Sequence, residues 1–444
     1  MKKLLITLTY AFALTIALPS ATVDQFSGVA SAAQTDEKKK KARRIPTMSE
    51  STFKRLGKAQ ELIDLKDLSG AIAELKAMLD RPKKYNQNEI GQVHNMLGFI
   101  YFTKEEYSTA IKHYEIVVAQ GEKIPEGLEV TTIYTLAQLY AVDEKFKRAL
   151  DYMKLWLTKA NNPGADPYIF MGQLMYQDKN FPKAIDYIEQ GMGVARERSL
   201  PMKENWWSLL NYLYYEQENW GKVLEILETL VADFPKRQYW VQLAGIHGQQ
   251  GHDKEQVYTM EAAYTADMLE GEKDLMNMAG LLMQEEVPYR AAKVLAAGFK
   301  AEKIERSAKN LQALGQAWQL SSETDKAIPV LEEAGKKSDD GKIFERLSQL
   351  YLDKDQYAKC EAAANKALDK GGLRKKQNAM IVKGMCQFNA GKLKSARSSF
   401  VSCRTESRVT ETRKGNKADL RLCQQWITYI DRETERIALL KASG

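Results

Sequence analysis

Apolar residues recur three and four apart along most of this chain, in helix-length stretches broken by short polar turns. The stretch His94–Val117, HNMLGFIYFTKEEYSTAIKHYEIV, shows the pattern most clearly. Two helical stripes flank a polar turn running from Thr103 to Glu106. Gly98 and Ala110 are small where two antiparallel helices would touch, and Leu97, Tyr101 and Tyr114 are large beside them. A pair of helices this short cannot bury its own apolar face, so the pattern predicts stacking on copies of itself.

Copies recur. Anchored on the residue that opens the second helix, they fall at Ala71, Ala110, Ala149, Ala184, Val223, Gln256, Ala291, Ala327, Cys360 and Ala396. The better copies repeat the preceding pattern: Leu136, Ala137 and Tyr140; Met171 and Gly172; Leu314, Gly315 and Trp318; Leu347, Ser348 and Tyr351; then Gly384 before Ala396 and Phe400. Trp207, Leu210 and Tyr214 precede Val223, with Asn211 where a small residue is expected and a closing Pro235. The weakest copy contains Trp240, Leu243, Ala244 and Met260. Longer spacings coincide with polar, Pro- or Gly-containing insertions at Arg81–Gly91, Gly121–Gly127 and Arg196–Lys203.

A large residue, then Leu-Gly, Tyr, Ala, an aromatic and Pro at these offsets resembles the tetratricopeptide (TPR) repeat, whose unit is about 34 residues. The resemblance covers 55–405 and implies an all-α, right-handed superhelical solenoid of about ten helix-turn-helix repeats. Contacts in such an array run mostly between neighbouring units, and its ends need caps. Ala418–Leu440 reads as an amphipathic capping helix through Leu422, Trp426, Tyr429, Ile430, Ile437 and Leu440, with a linker from 406 leading to it.

The ends carry other signals. Residues 1–33 combine Lys2 and Lys3, an apolar run from Leu4 to Leu18 and the small-residue stretch Val29–Ala33. That is the form of a secretory signal peptide, with cleavage expected after Ala32 or Ala33; an uncleaved anchor is the alternative. No later segment reaches the roughly 18 apolar residues of a membrane span. The expectation is an exported chain, periplasmic in a Gram-negative cell. The first cysteine is Cys360, which excludes lipid attachment at a signal-peptide cysteine.

The net charge of +7 sits at the ends: +4 falls on 34–54 and +6 on 392–444, leaving 55–391 mildly acidic. A nucleic-acid binder would carry its basic residues along the main surface, so nucleic acid is not an expected partner. The arm 34–54, with Lys38–Lys41, Arg43 and Arg44, has almost no apolar content and is expected to be disordered. It reads as a solvated tether, or as an electrostatic contact for an anionic surface.

Cys360, Cys386, Cys403 and Cys423 cluster in the last two units and the cap. An even cluster in an exported chain predicts disulfides. Antiparallel packing favours Cys360–Cys386 and Cys403–Cys423, with Cys403 taken to end its helix; buried free thiols are the alternative. No C-x-x-C occurs and no histidine lies nearby, which argues against zinc. His94 and His247 occupy repeat packing positions. The chain has no H-E-x-x-H, G-x-S-x-G or G-x-x-x-x-G-K-[ST], and no paired-carboxylate cleft can be located for a glycan hydrolase. No enzyme activity, cofactor or metal is expected.

In the TPR family the first helix of each unit lines the concave face. Carried over, the inward positions are Asn95, Phe99 and Phe102; Tyr134 and Gln138; Ile169, Gln173 and Tyr176; and Ser208, Tyr212 and Tyr215. Later units place Gln312, Gln316, Gln319, Glu345 and Gln349 there. Aromatics offer contact area at low entropy cost, and amides can bond a peptide backbone. The Lys/Asn set with which some TPR proteins clamp a terminal carboxylate is absent. The resemblance therefore implies a scaffold or adaptor that docks a protein partner. An exported TPR chain of this size also looks like the TPR proteins that accompany TonB energy transduction. Envelope or peptidoglycan-assembly scaffolding, and polyanion binding through the basic ends, are the alternatives.

Overall fold

The computed structural model describes residues 43–414 and 418–443. Residues 1–33, read as a signal peptide, and 34–42 of the basic arm lie outside the described residues. Two compact units divide at Asn219/Trp220. The first holds α1 (Glu50–Asp64), α2 (Leu68–Leu79), α3 (Gln87–Thr103), α4 (Tyr107–Ala119), α5 (Glu126–Val142), α6 (Phe146–Lys159), α7 (Ala165–Gln177), α8 (Phe181–Glu197) and α9 (Glu204–Glu216). The second holds α10 (Trp220–Asp233), α11 (Arg237–Gln249), α12 (Asp253–Thr265), α13 (Glu272–Gln284), α14 (Pro288–Lys300), α15 (Ala308–Leu320), α16 (Thr324–Lys337), α17 (Lys342–Asp353), α18 (Tyr357–Lys370), α19 (Lys376–Asn389), α20 (Leu393–Lys414) and α21 (Ala418–Ser443). The described residues form no strand.

The hairpin turn explains why the copies keep register. Lys66, Glu105, Glu144, Lys179, Glu218, Gly251, Glu286, Ser322, Asp355 and Gly391 all adopt positive φ. Each lies five residues before its anchor. The next residue's N–H closes back onto a carbonyl of the preceding helix at 2.8–3.0 Å, as in Glu106 N to Tyr101 O and Lys392 N to Gln387 O. This is a Schellman-type helix ending, which satisfies carbonyls that would otherwise be orphaned. Even the weakest copy, ending α11 at Gly251, obeys it.

Packing within a hairpin follows from size. A Cβ at Gly98 would lie 2.8 Å from the Tyr114 ring, so only glycine admits that tyrosine between α3 and α4. Gly172 meets Ile188, Gly315 meets Leu331 and Gly384 meets Phe400 at the same register. Between hairpins a polar stitch repeats: Tyr140 and Tyr214 each donate at 2.6 Å, to Glu115 and Glu189. Tyr351 donates likewise to Glu332. Each glutamate lies five residues after one anchor, and each tyrosine nine before the next. The apolar core is continuous in the second unit from Ala244 to Cys386.

The C-terminal end differs from the sequence reading. Residues 406–414, expected to be linker, continue α20, so Cys403 lies inside a helix instead of ending it. Cys360 pairs with Cys386 and Cys403 with Cys423, each with Cα atoms 6.0 Å apart. α21 caps the array with a stripe that keeps Trp426 and Ile430 of the expected one but not Leu422, Tyr429 or Leu440. Cys423, Ile427 and Ile430 are buried, while Leu422, Tyr429 and Leu440 are exposed. The helix is rotated by about one residue because Cys423 must face Cys403, and Trp426 stacks on Phe400 at 5.1 Å.

The N-terminal arm also differs. Arg43–Ser49 runs extended and docked, and α1 begins at Glu50, inside the segment expected to be disordered. Asn88 Nδ2 donates to Pro46 O at 3.0 Å, and Asn86 Nδ2 to Thr47 O at 2.9 Å. Side chains of the first repeats thus supply the backbone partners that the arm's own sequence lacks.

Candidate functional site

The inner-face residues are placed by the helices that carry them. On α3, Asn95, Phe99 and Phe102 are half-buried, between the buried packing residues Leu97, Gly98 and Tyr101. Phe102 leans on Tyr107 of the same hairpin, ring centroids 5.9 Å apart. Asn95 makes no hydrogen bond among the described residues, and neither do Gln138 of α5 and Gln173 of α7, both half-buried.

The structure brings Tyr176 and Tyr212 together. Their rings meet edge to face at 5.7 Å, joining α7 to α9. Tyr176 also stacks on Phe181 at 6.0 Å. Burial, then Tyr176 and Glu216, push the Tyr212 hydroxyl well above the ordinary phenol range. Tyr215, one turn on, is 42% exposed. Phe99, Tyr176, Tyr212 and Tyr215 thus put aromatic surface within reach of a partner.

Three expected inner residues belong instead to the packing. Tyr134 lies 5.1 Å from Trp156 and 6.0 Å from Phe170, and burial with Asp166 nearby pushes its hydroxyl up to about 12. Ile169 is buried, its Cδ1 only 2.9 Å from where a Cβ on Gly191 would stand. Ser208 is buried as well. The glycine draws α8 close enough to α7 to cover Ile169, a consequence visible only once the pair is assembled.

In the second unit Gln312 and Gln349 are exposed and Gln316 is half-buried; none makes a hydrogen bond among the described residues. Gln319 accepts from Arg346. Burial holds the Glu345 carboxyl above, and the Arg346 guanidinium below, their ordinary values.

One patch escaped the sequence reading. Tyr289, at the start of α14 and 45% exposed, lies 5.8 Å from Trp318. Lys326 sits 4.8 Å over the Trp318 ring and 5.8 Å over Tyr289. Tyr289, Tyr264 and Met278 line an open cavity of about 360 Å³ with Arg290 and Lys293, and Arg290 is paired with Glu261 at 3.0 Å. The available signal was an aromatic beside basic residues at a helix start, which is common and does not single out a site.

Among the described residues no group of three His, Cys, Asp or Glu is placed to hold a metal ion, and no helix is long and apolar enough to cross a membrane. His94 and His113 face each other with Nδ1 atoms 2.8 Å apart, packed between α3 and α4.

No family model matches the sequence, and no curated protein matches it. Among solved structures the chain is similar to the crystal structure of MamA, at 16% identity over 40% of this chain and 94% of that one, TM-score 0.35. It is also similar to a tetratricopeptide repeat protein from Parabacteroides merdae, at 16% identity over 64% and 99%, TM-score 0.36. A TPR2AB-domain–pHSP90 complex of yeast Sti1 matches at 12% identity over 69% and 99%, TM-score 0.30. The fold rests on the hairpin register, not on these loose likenesses. The common turn, the small-against-large contacts and the stitched neighbours define an all-α array of TPR-type helical hairpins.

Proposed function

We propose that the chain is an interaction scaffold that docks a protein partner along the inner positions of its first helices. The observation that carries this is the Phe99, Tyr176, Tyr212 and Tyr215 series, with the amides Asn95, Gln138 and Gln173 left without hydrogen-bond partners among the described residues. Aromatic surface beside unsatisfied amides suits an extended or helical peptide, and a rigid array presents both without reorganisation. Docking of this kind needs no turnover.

The compartment belongs to the same reading. An N-terminal export signal and four paired cysteines together support an exported, periplasmic protein. A place beside a TonB transport system is the more specific form. It is supported by the resemblance of an exported TPR chain of this size to the proteins that accompany that machinery.

Site-specific photo-crosslinking in intact cells tests the surface. A crosslinker at Phe99 or Tyr176 should trap one partner, and Phe99→Ala with Tyr212→Ala should lower the yield of the Tyr176 adduct at least fivefold. Crosslinking from the exposed Lys147 on α6, with none from Phe99 or Tyr176, would move the site off the inner face.

A further inference from the structure

The docked arm occupies a site that resembles a binding site more than a covalent tether. Glu129, at the start of α5, is 4% exposed and meets two cations: Arg43 of the arm at 2.7 Å and Lys159 of α6 at 2.9 Å. Burial pushes this carboxyl up, but its bonds to Lys159 and Arg43 outweigh that and hold it below its ordinary value. Arg43 also reaches Ile124 O at 3.5 Å. The two asparagines at the start of α3 then take the carbonyls of Pro46 and Thr47. Finally Ser49, which caps α1, donates through both its N–H and its hydroxyl to Glu89 of α3, at 2.9 and 2.7 Å.

Two features separate this from ordinary packing. Between Arg43 and Ser49 the arm is held almost wholly through its backbone; Arg44, Ile45 and Thr47 are exposed. Pro46 and Met48 are only half-buried, and the specific side-chain contacts lie at the two ends, Arg43 to Glu129 and the Ser49 hydroxyl to Glu89. Departure of Arg43 would also leave Glu129 paired with Lys159, so release does not orphan a buried charge. A buried carboxylate for one arginine, followed by two side-chain amides for successive backbone carbonyls, is the chemistry that reads an extended peptide.

We propose that Glu129, Lys159, Asn88 and Asn86 form a binding site for an extended peptide bearing an arginine, which the chain fills in cis with its own residues 43–47. The arm is then a self-supplied occupant that a partner's arginine-bearing segment displaces. This site lies two helical turns before the inner-face residues of α3 and stands independently of them. The cis arm competes at an effective concentration on the order of mM, so a trans peptide gains access when the arm's anchor is lost.

The test uses the full chain and a fluorescein-labelled peptide copying residues 41–49. The Arg43→Ala chain should bind this peptide at least tenfold more tightly than the wild-type chain, whose site is filled. The same peptide carrying Arg43→Ala should bind at least tenfold more weakly, and adding Glu129→Gln to the protein should abolish binding. Trypsin cleavage after Arg44 should be several-fold faster in Glu129→Gln than in wild type. Equal peptide affinity for wild-type and Arg43→Ala chains, or no detectable binding to either, would overturn the proposal. So would affinity indifferent to the peptide's arginine, a measurement that leaves the protein unaltered and so holds even where Glu129→Gln impairs folding.

Discussion

Acid should loosen the second hairpin first. His94 and His113 approach Nδ1 to Nδ1 at 2.8 Å, a distance that needs a proton on one nitrogen and a lone pair on the other. Tyr101 stacks on His113 at 5.3 Å, and Lys76 of α2 and Lys104 at the end of α3 both lie over that tyrosine. Protonating both rings would set two imidazolium cations Nδ1 to Nδ1, near two lysines, in a site where His94 is only 8% exposed. Burial, then His94, then Lys76, lower His113 to about 4, and burial alone lowers His94. A depressed histidine favours the folded state above the unfolded value of about 6.5, and that contribution is lost as pH falls from there to about 4. The span would be worth about 3 kcal/mol for a fully buried ring; partial exposure of His113 reduces it to about 2 kcal/mol. NMR titration of the ring protons should place the His113 midpoint about 1.5 units or more below that of an ordinary histidine. Hydrogen exchange across α3 and α4 should quicken about thirtyfold between pH 7 and 4.5 after correction for intrinsic rates. Replacing both histidines with Gln should remove the excess. A His113 midpoint near 6.5 would refute the reasoning.

Two further perturbations probe the array. Replacing Cys403 and Cys423 with Ala opens a 20-residue loop worth about 3 kcal/mol of unfolded-state entropy. Amide protection should fall in α21 while α3–α8 keep theirs, since contacts run between neighbours; unchanged protection in α21 would show that packing on Phe400 alone seats the cap. Glu105 holds a left-handed conformation that disfavours any L side chain, so Glu105→Gly should stabilise the protein by about 0.5–1 kcal/mol, read as a higher melting temperature. A lower one would mean the glutamate side chain contributes more than its strain costs.

The repeats were legible because they depend on side-chain size at fixed offsets. The anchors from Ala71 to Ala396 found in the sequence are the positions that the left-handed turn residues precede by five. That turn was hidden, since only Gly251 and Gly391 advertise it and the other eight positions hold Lys, Glu, Ser or Asp. The candidate surface was half legible. Offsets select the inner positions, but whether a neighbour covers one depends on its partner helix, as Trp156 does for Tyr134 and Gly191 for Ile169. The docked arm was illegible because composition reports only what a segment can bury by itself. It could not report that Asn86, Asn88 and Glu129 supply the partners.

The constant turn also determines where the chain tolerates change in length. Three residues separate the helices at each turn from Leu65–Asp67 to Ala390–Lys392, the second helix starting directly after the Schellman closure. The same closure at Ser199, Asp267 and Glu302 is followed by further residues before the next helix. Variation is confined to the other connections, such as 80–86, 198–203 and 301–307. A reporter domain or epitope grafted into 200–203 should leave the register of both neighbours intact. One extra residue among 104–106 would rotate everything after it by about 100° and bring Tyr114 out of the space that Gly98 leaves.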